Sequence, residues 1–102
     1  MASMRGFLGA AMVDVDEDFA KSLVGMDGKR GVAVTMVPES SLAARTGLRN
    51  GDVILRIDGS DVINMAQMGV RLQFAQQLGA EKVLLTVLRA GKTQDITFTP
   101  PR

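Results

Sequence analysis

Apolar residues follow two different rhythms along this chain, and each rhythm predicts a different kind of element. Short runs rich in β-branched residues predict strands at 31–37 and 52–57, and an apolar run predicts another strand at 8–13. Two runs of alternating polarity, at 82–89 and 93–99, predict a hairpin. Strands are therefore expected near both ends of the chain.

The turns between these strands are expected to contain glycine. Asp-Gly at 58–59 and Ala-Gly at 90–91 are typical of tight connections between antiparallel strands. Within the strand at 52–57, simple alternation places three apolar side chains on one face: Val53, Leu55 and Ile57.

The longest predicted helix covers residues 65–78. Asn64 is a suitable N-cap residue, and Gly79 ends the pattern. Apolar residues at three- and four-residue spacing form one stripe, which we expect to lie against the sheet: Met65, Met68, Leu72 and Ala75.

Shorter helices are predicted from their end signals. Either Ser40 or Ser41 caps a single turn at 42–46, which Gly47 ends in a left-handed conformation. A run of acidic residues predicts a further short helix over about 14–24, because acids in the first turn complement the helix dipole.

Five strands and two or three helices in this order predict an α+β fold. We expect a small, partly open β-barrel or sandwich of five to six strands, with one long helix laid against it and one or two short helices. The chain has 102 residues, the size of one domain, and its 46% of apolar residues is enough to fill one core.

Charge and aromatic content argue against binding to nucleic acid, and the short apolar runs argue against insertion into a membrane. Twelve basic and eleven acidic residues give a net charge of +1, and the aromatic residues are four Phe with no Trp or Tyr. Nucleic-acid binding would need a basic stripe, preferably with aromatic residues for stacking. No apolar run approaches the roughly 20 residues needed to cross a bilayer, so we predict no direct membrane insertion.

The chain contains no histidine and no cysteine. It therefore cannot build a Ser-His-Asp or Cys-His catalytic site, or the common zinc sites. Asp14, Asp16 and Asp18 imitate the start of a calcium loop, but Phe19 and Gly25 stand where that loop needs Gly and Glu. We predict a non-enzymatic domain with no cofactor and no metal.

The strongest local signal is the segment SLAARTGLRNGDVILRIDG at 41–59. Its small residues let a helical turn sit closely on the sheet, Asn50-Gly51 makes a turn, and Asp52 can bond nearby backbone amides as the strand begins. This segment resembles the signature of PDZ domains almost position for position. The signature implies a PDZ fold and marks no binding site.

A second signal is RGFLGA at 5–10, followed by an apolar strand. With the order of the later elements, it resembles the first PDZ domain of HtrA/Deg-family bacterial serine proteases over residues 4–99. Ala90 departs from that family, which usually has Asp there. We expect residues 1–3 to be an expression leader and 100–102 to be a tail leaving the fold.

The resemblance also implies a peptide-binding site. In PDZ domains the equivalent of 7–10 is a loop whose backbone N–H groups bind a terminal carboxylate, and the peptide adds as a strand beside the equivalent of 10–13. Family position assigns binding roles to Arg5, Phe7, Leu8, Gly9, Ala10, Met12, Met65, Gly69 and Leu72.

The sequence leaves open the alternative that these residues have structural roles and do not bind peptide. Leu8, Met12 and Leu72 could be ordinary core residues, and Arg5 could be a solvated side chain on a loop. Family position puts Met68 in the core rather than in the groove.

The implied function is capture of apolar C-terminal or extended polypeptide segments, with a protease domain in the same parent chain and a location in the periplasm or cell envelope. One alternative is a PDZ domain from a C-terminal processing peptidase or an intramembrane metalloprotease. Another is an adaptor or secretion-system module with no protease attached.

Overall fold

The computed structural model describes residues 9–16, 18, 30–79 and 81–99. It contains two helices whose full length is described, α1 (Leu42–Thr46) and α2 (Met65–Gln77). Its strands in this part of the chain are β1 (Ala11–Val15), β2 (Gly31–Met36), β3 (Val53–Ile57), β4 (Ser60–Asp61), β5 (Val83–Arg89) and β6 (Lys92–Phe98).

The six strands form one antiparallel sheet in the order β1-β2-β3-β5-β6, with the short β4 paired to β3. Helix α2 contacts β1, β2 and β3. This arrangement confirms the predicted α+β class, with an open sheet and one long helix. Within the described residues β1 is an edge strand, because it pairs with β2 and with no other strand.

The apolar side chains form two clusters on opposite faces of the sheet. The larger cluster lies under α2 and includes Met68, Val34, Ile54 and Leu85. The smaller cluster contains side chains from the same strands that point to the opposite face: Val15, Ala33, Val53, Leu55 and Leu88.

The first strand differs from its predicted bounds. It was expected at 8–13, but it begins at Ala11 and continues through Asp14 to Val15. Gly9 has a φ of +86°, which interrupts an extended chain before the strand, and Val15 is 1% exposed because it packs into the smaller cluster. Asp14 therefore does not open a helix, and most of the helix predicted at 14–24 lies outside the described residues.

The alternation predicted for β3 is wrong at its end. Ile57 packs into the larger cluster with Ile54, whereas Val53 and Leu55 pack into the smaller one. The register of β3 against β5 shifts between Ile54 and Arg56. This irregularity inserts one residue and turns the following side chains over, as a β-bulge does.

The helix ends and hairpins match their predictions closely. The hydroxyl of Ser41, rather than Ser40, accepts a hydrogen bond from the Ala44 N–H at 3.1 Å. The side-chain oxygen of Asn64 accepts one from the Gln67 N–H at 2.8 Å. The turns at 58–59 and 90–91 connect β3 to β4 and β5 to β6.

Candidate functional site

The free edge of β1 presents backbone hydrogen-bonding groups that no other described strand takes up. The N–H of Val34 donates to the Asp52 carbonyl at 2.7 Å, and the Val34 carbonyl accepts from the Gly51 N–H at 2.8 Å. Both groups of Val34 thus point away from β1. Met12 is the β1 partner of Val34, so its own N–H and C=O point outward. Asp14, two residues on, repeats this orientation.

Helix α2 borders this edge on one face of the sheet. The side chain of Met12 is 7% exposed and belongs to the same cluster as Met68, while Met65 and Leu72 are partly buried against that cluster. Gly69 is exposed, and a Cβ atom added there would meet nothing within 4 Å. We call the surface between the β1 edge and these α2 residues (Met65, Gly69 and Leu72) the candidate groove.

The segment before β1 is described only from Gly9 onward. Its φ of +86° belongs to the left-handed region that favours glycine, and an added Cβ would lie 3.4 Å from the Ser41 Cβ. Ala10 follows and is fully buried. Arg5, Phe7 and Leu8 lie outside the described residues, so their predicted roles stay predictions.

The structure brings five of the predicted site residues around α2 and β1, with Gly9 at the start of the same edge. Met12 and Ala10 are core residues that form the floor rather than exposed walls. Met68 is inside the core, as family position implied, and Met65 and Leu72 are partly buried against it. The role that family position gives Met65 and Leu72 at the edge of the groove stays a prediction.

Sequence reasoning missed one contact at this site. The Oδ1 atom of Asp14 accepts a hydrogen bond from the Met65 N–H at 2.7 Å, joining β1 to the first turn of α2. These residues are 51 positions apart in the chain. The available signal was alternation: had the strand been extended to Val15, Asp14 would have fallen on the same face as Met12.

A buried ion pair lies at the start of β3. Asp52 is 1% exposed, and its two carboxylate oxygens accept hydrogen bonds from Nε and Nη2 of Arg89 at 2.8 and 2.6 Å. This hydrogen bonding raises the pKa of Arg89 above its usual value. The Arg49 N–H also donates to Asp52 at 2.9 Å, which confirms the predicted bond to a nearby backbone amide.

A second concave surface lies on the outer side of α2, with a volume of about 360 Å³. Val70, Phe74 and Leu78 line it at four-residue spacing, and each is more than half exposed. It shares the helix with the candidate groove but faces away from β1, toward the turn at 58–60.

Neither a metal site nor a membrane-spanning helix is found in the described part of the chain. No group of three or more acidic, His or Cys side chains there could hold a metal ion. No helix among these residues is long and apolar enough to cross a membrane.

An edge strand beside a helix, following a loop that contains glycine, is the layout of a domain that binds peptides by strand addition. The family model of the PDZ domain matches residues 2–88. The chain belongs to the PDZ domain family.

Curated relatives place it near one group of proteins. It is 37% identical over 95 residues to a DegP-like periplasmic serine endoprotease of Pseudomonas putida strain W619, covering 93% of this chain and 19% of that protein. It is 34% identical over 101 residues to the serine protease Do-like HtrB of Bacillus subtilis, covering 93% of this chain and 22% of that protein. The chain thus spans about a fifth of the length of these relatives.

Solved structures share the fold. The HtrA3 PDZ domain bound to the phage-derived ligand FGRWV superimposes with a TM-score of 0.69 at 24% identity, covering 93% of this chain and 84% of that one. The HtrA-type protease AlgW with a decapeptide gives 0.66 at 32% identity, covering 96% of this chain and 30% of that one. This chain is therefore a PDZ domain homologous to those of HtrA-type proteases.

Proposed function

We propose that this domain captures the apolar C-terminus, or an extended apolar segment, of another polypeptide by adding it as a strand to the free edge of β1. The observation that carries the proposal is the orientation of Met12 and Asp14. Their backbone groups point off the sheet beside α2, where an antiparallel peptide strand could bond to them.

The ends of the groove supply the remaining chemistry. Gly9 has a positive φ, and we infer that the backbone N–H groups of residues 7–10 would form a concave anion site for a terminal carboxylate. Arg5 would add a positive charge near it. The last apolar side chain would enter beside Gly69 and Leu72, where the absence of a Cβ at Gly69 leaves room. Met65 lies toward the other end of the groove, because its N–H is bonded to Asp14.

In the parent protein this capture would serve a serine protease. The relatives named above are HtrA-type proteases, and this chain corresponds to about a fifth of their length. Because the chain contains no His, a Ser-His-Asp site would have to lie elsewhere in the parent. The domain would present substrate to the protease domain or relay peptide occupancy to it. The relatives' names support a location in the periplasm or cell envelope.

Isothermal titration with the peptide FGRWV tests the proposed groove. It carries an apolar terminal residue, and a short strand with one anchor is expected to bind in the micromolar range, about −8 kcal/mol or weaker. The same peptide with a C-terminal amide is the matched control and should bind at least tenfold more weakly. Equal affinity for acid and amide would contradict the carboxylate loop, and no binding by either would contradict strand capture here.

A further inference from the structure

The side chain of Asp14 occupies the end of the candidate groove farthest from Gly9. Asp14 and Met12 are two positions apart in β1, so both side chains point to the face that α2 covers. Met12 is buried under the helix, whereas Asp14 is exposed. The groove therefore changes from an apolar floor to a carboxylate at its solvent-facing end.

Among the residues that the structure describes, Asp14 is held by one hydrogen bond and forms no ion pair. Oδ1 accepts the Met65 N–H at 2.7 Å, and Oδ2 accepts no hydrogen bond from any residue that the structure describes. Helix α2 contains a single charged residue, Arg71, whose Nε donates to the Asp61 carbonyl on the outer side of the helix. Nothing charged on α2 thus competes for the free oxygen of Asp14.

Strand pairing determines which peptide residue would meet Asp14; this step rests on the proposed function. A peptide whose carboxylate lies at residues 7–10 runs antiparallel to β1, with its last residue opposite Ala10. Its third residue from the end is then opposite Met12 and its fifth is opposite Asp14. The irregularity between Ala11 and Met12 leaves Thr35 of β2 as the extra residue, so it does not disturb this count along β1.

Side chains directly opposite each other in an antiparallel pair have Cβ atoms about 4.5–5.5 Å apart on the same face of the sheet. We propose that Asp14 is a specificity-determining residue, selecting Lys or Arg at the fifth position from the peptide's C-terminus. Its Oδ1 bond to Met65 orients the carboxylate, and Oδ2 accepts the peptide cation. The site is exposed, so the gain is about two- to fivefold in affinity.

Titration of four peptides against two proteins tests this selection. The peptides are N-acetylated, end in Val with a free carboxylate, and carry no charged side chain except at the tested position. That position, fifth from the end, holds Lys, Gln or Glu; the fourth peptide moves Lys to the neighbouring fourth position, whose side chain points to the other face. The proteins are the unmodified domain and Asp14→Asn, whose side-chain oxygen can still accept the Met65 N–H.

The unmodified domain should bind the peptides in the order Lys, Gln, Glu, with steps of about two- to fivefold that shrink at high salt. Asp14→Asn should abolish these steps, so that its affinities for the Lys, Gln and Glu peptides differ by less than about twofold. Lys at the fourth position should show less than half of the effect. Equal affinity for the Lys and Gln peptides, or a Lys preference that survives in Asp14→Asn, would overturn the role of Asp14 in specificity and leave the proposed groove standing. Failure of every peptide to bind would overturn the proposed groove together with it.

Discussion

Arg89 donates one hydrogen bond to each carboxylate oxygen of the buried Asp52, and the two residues are 37 positions apart in the chain. Arg89 also donates to the Gly47 carbonyl at 2.8 Å, so one guanidinium joins the end of α1 to the start of β3 and the end of β5. The Asp52 carbonyl in turn accepts the Val34 N–H, so this N–H points toward β3 and away from β1.

Arg89→Met should destabilise the domain by about 2–4 kcal/mol, because it leaves a buried carboxylate without its cation. Arg89→Lys should lie between, since an ammonium keeps the charge but cannot make the two-pronged contact. Urea unfolding followed by circular dichroism measures both. The bond to Asp52 raises the pKa of Arg89, so its contribution should be constant from neutral to moderately alkaline pH and fall only as pH rises through that pKa. A Met variant as stable as the parent would contradict this role.

Ala90→Asn should stabilise the domain by about 0.5–1 kcal/mol. Ala90 has a φ of +53° and is followed by Gly91 at +80° in the β5–β6 turn. An alanine in this conformation is strained, and Asn-Gly is the preferred pair for such turns. Thermal unfolding measures the gain. Ala66→Asn, at an exposed position of α2, is the matched control and should be destabilising, because Asn is a poorer helix former than Ala.

Gly69→Ala should have opposite effects on stability and on binding. The new Cβ meets nothing within 4 Å, so the helix should gain up to about 1 kcal/mol. If the proposed groove is correct, the same methyl group narrows it, and peptides ending in Phe should lose more affinity than those ending in Val. Unfolding and titration on the same preparation separate the two effects. If the variant is more stable but binds both peptides as the parent does, the peptide's last side chain does not bind at Gly69.

Leu72→Glu should abolish peptide binding while the domain remains folded, because Leu72 is only partly buried at the margin of the core. Gln73→Glu adds the same charge at the next residue, which is exposed, and this variant should bind the peptide normally. Titration and far-ultraviolet circular dichroism test the pair. If Leu72→Glu unfolds the domain, Leu72→Ala provides the binding measurement, and normal binding there would assign Leu72 to the core alone.

Gly9→Val should weaken binding much more than Arg5→Ala. At a φ of +86° a β-branched residue is strongly disfavoured, so the turn that would present the backbone N–H groups should be lost. Arg5 would contribute at most about 1 kcal/mol, as exposed ion pairs do, and its loss should shrink as salt rises. Titration of one apolar-ending peptide against both variants decides the matter. A folded Gly9→Val variant that binds like the parent would place the groove elsewhere.

The sequence by itself determined the elements whose ends are specified by neighbouring residues. Ser41 and Asn64 cap helices through bonds to amides three positions away, and the turns at 58–59 and 90–91 close hairpins between adjacent strands. Such signals are local, so they can be recognised without knowing the rest of the fold. The recognised signature at 41–59 then supplied the family.

Only the tertiary structure decided the features that depend on distant partners. The extension of β1 through Asp14 follows from pairing with β2, and the reversal at Ile57 follows from a register shift against β5. The bond from Asp14 to Met65 joins residues far apart in the chain. Local periodicity cannot encode these contacts, because register and long-range hydrogen bonds arise when the whole sheet buries its two faces at once.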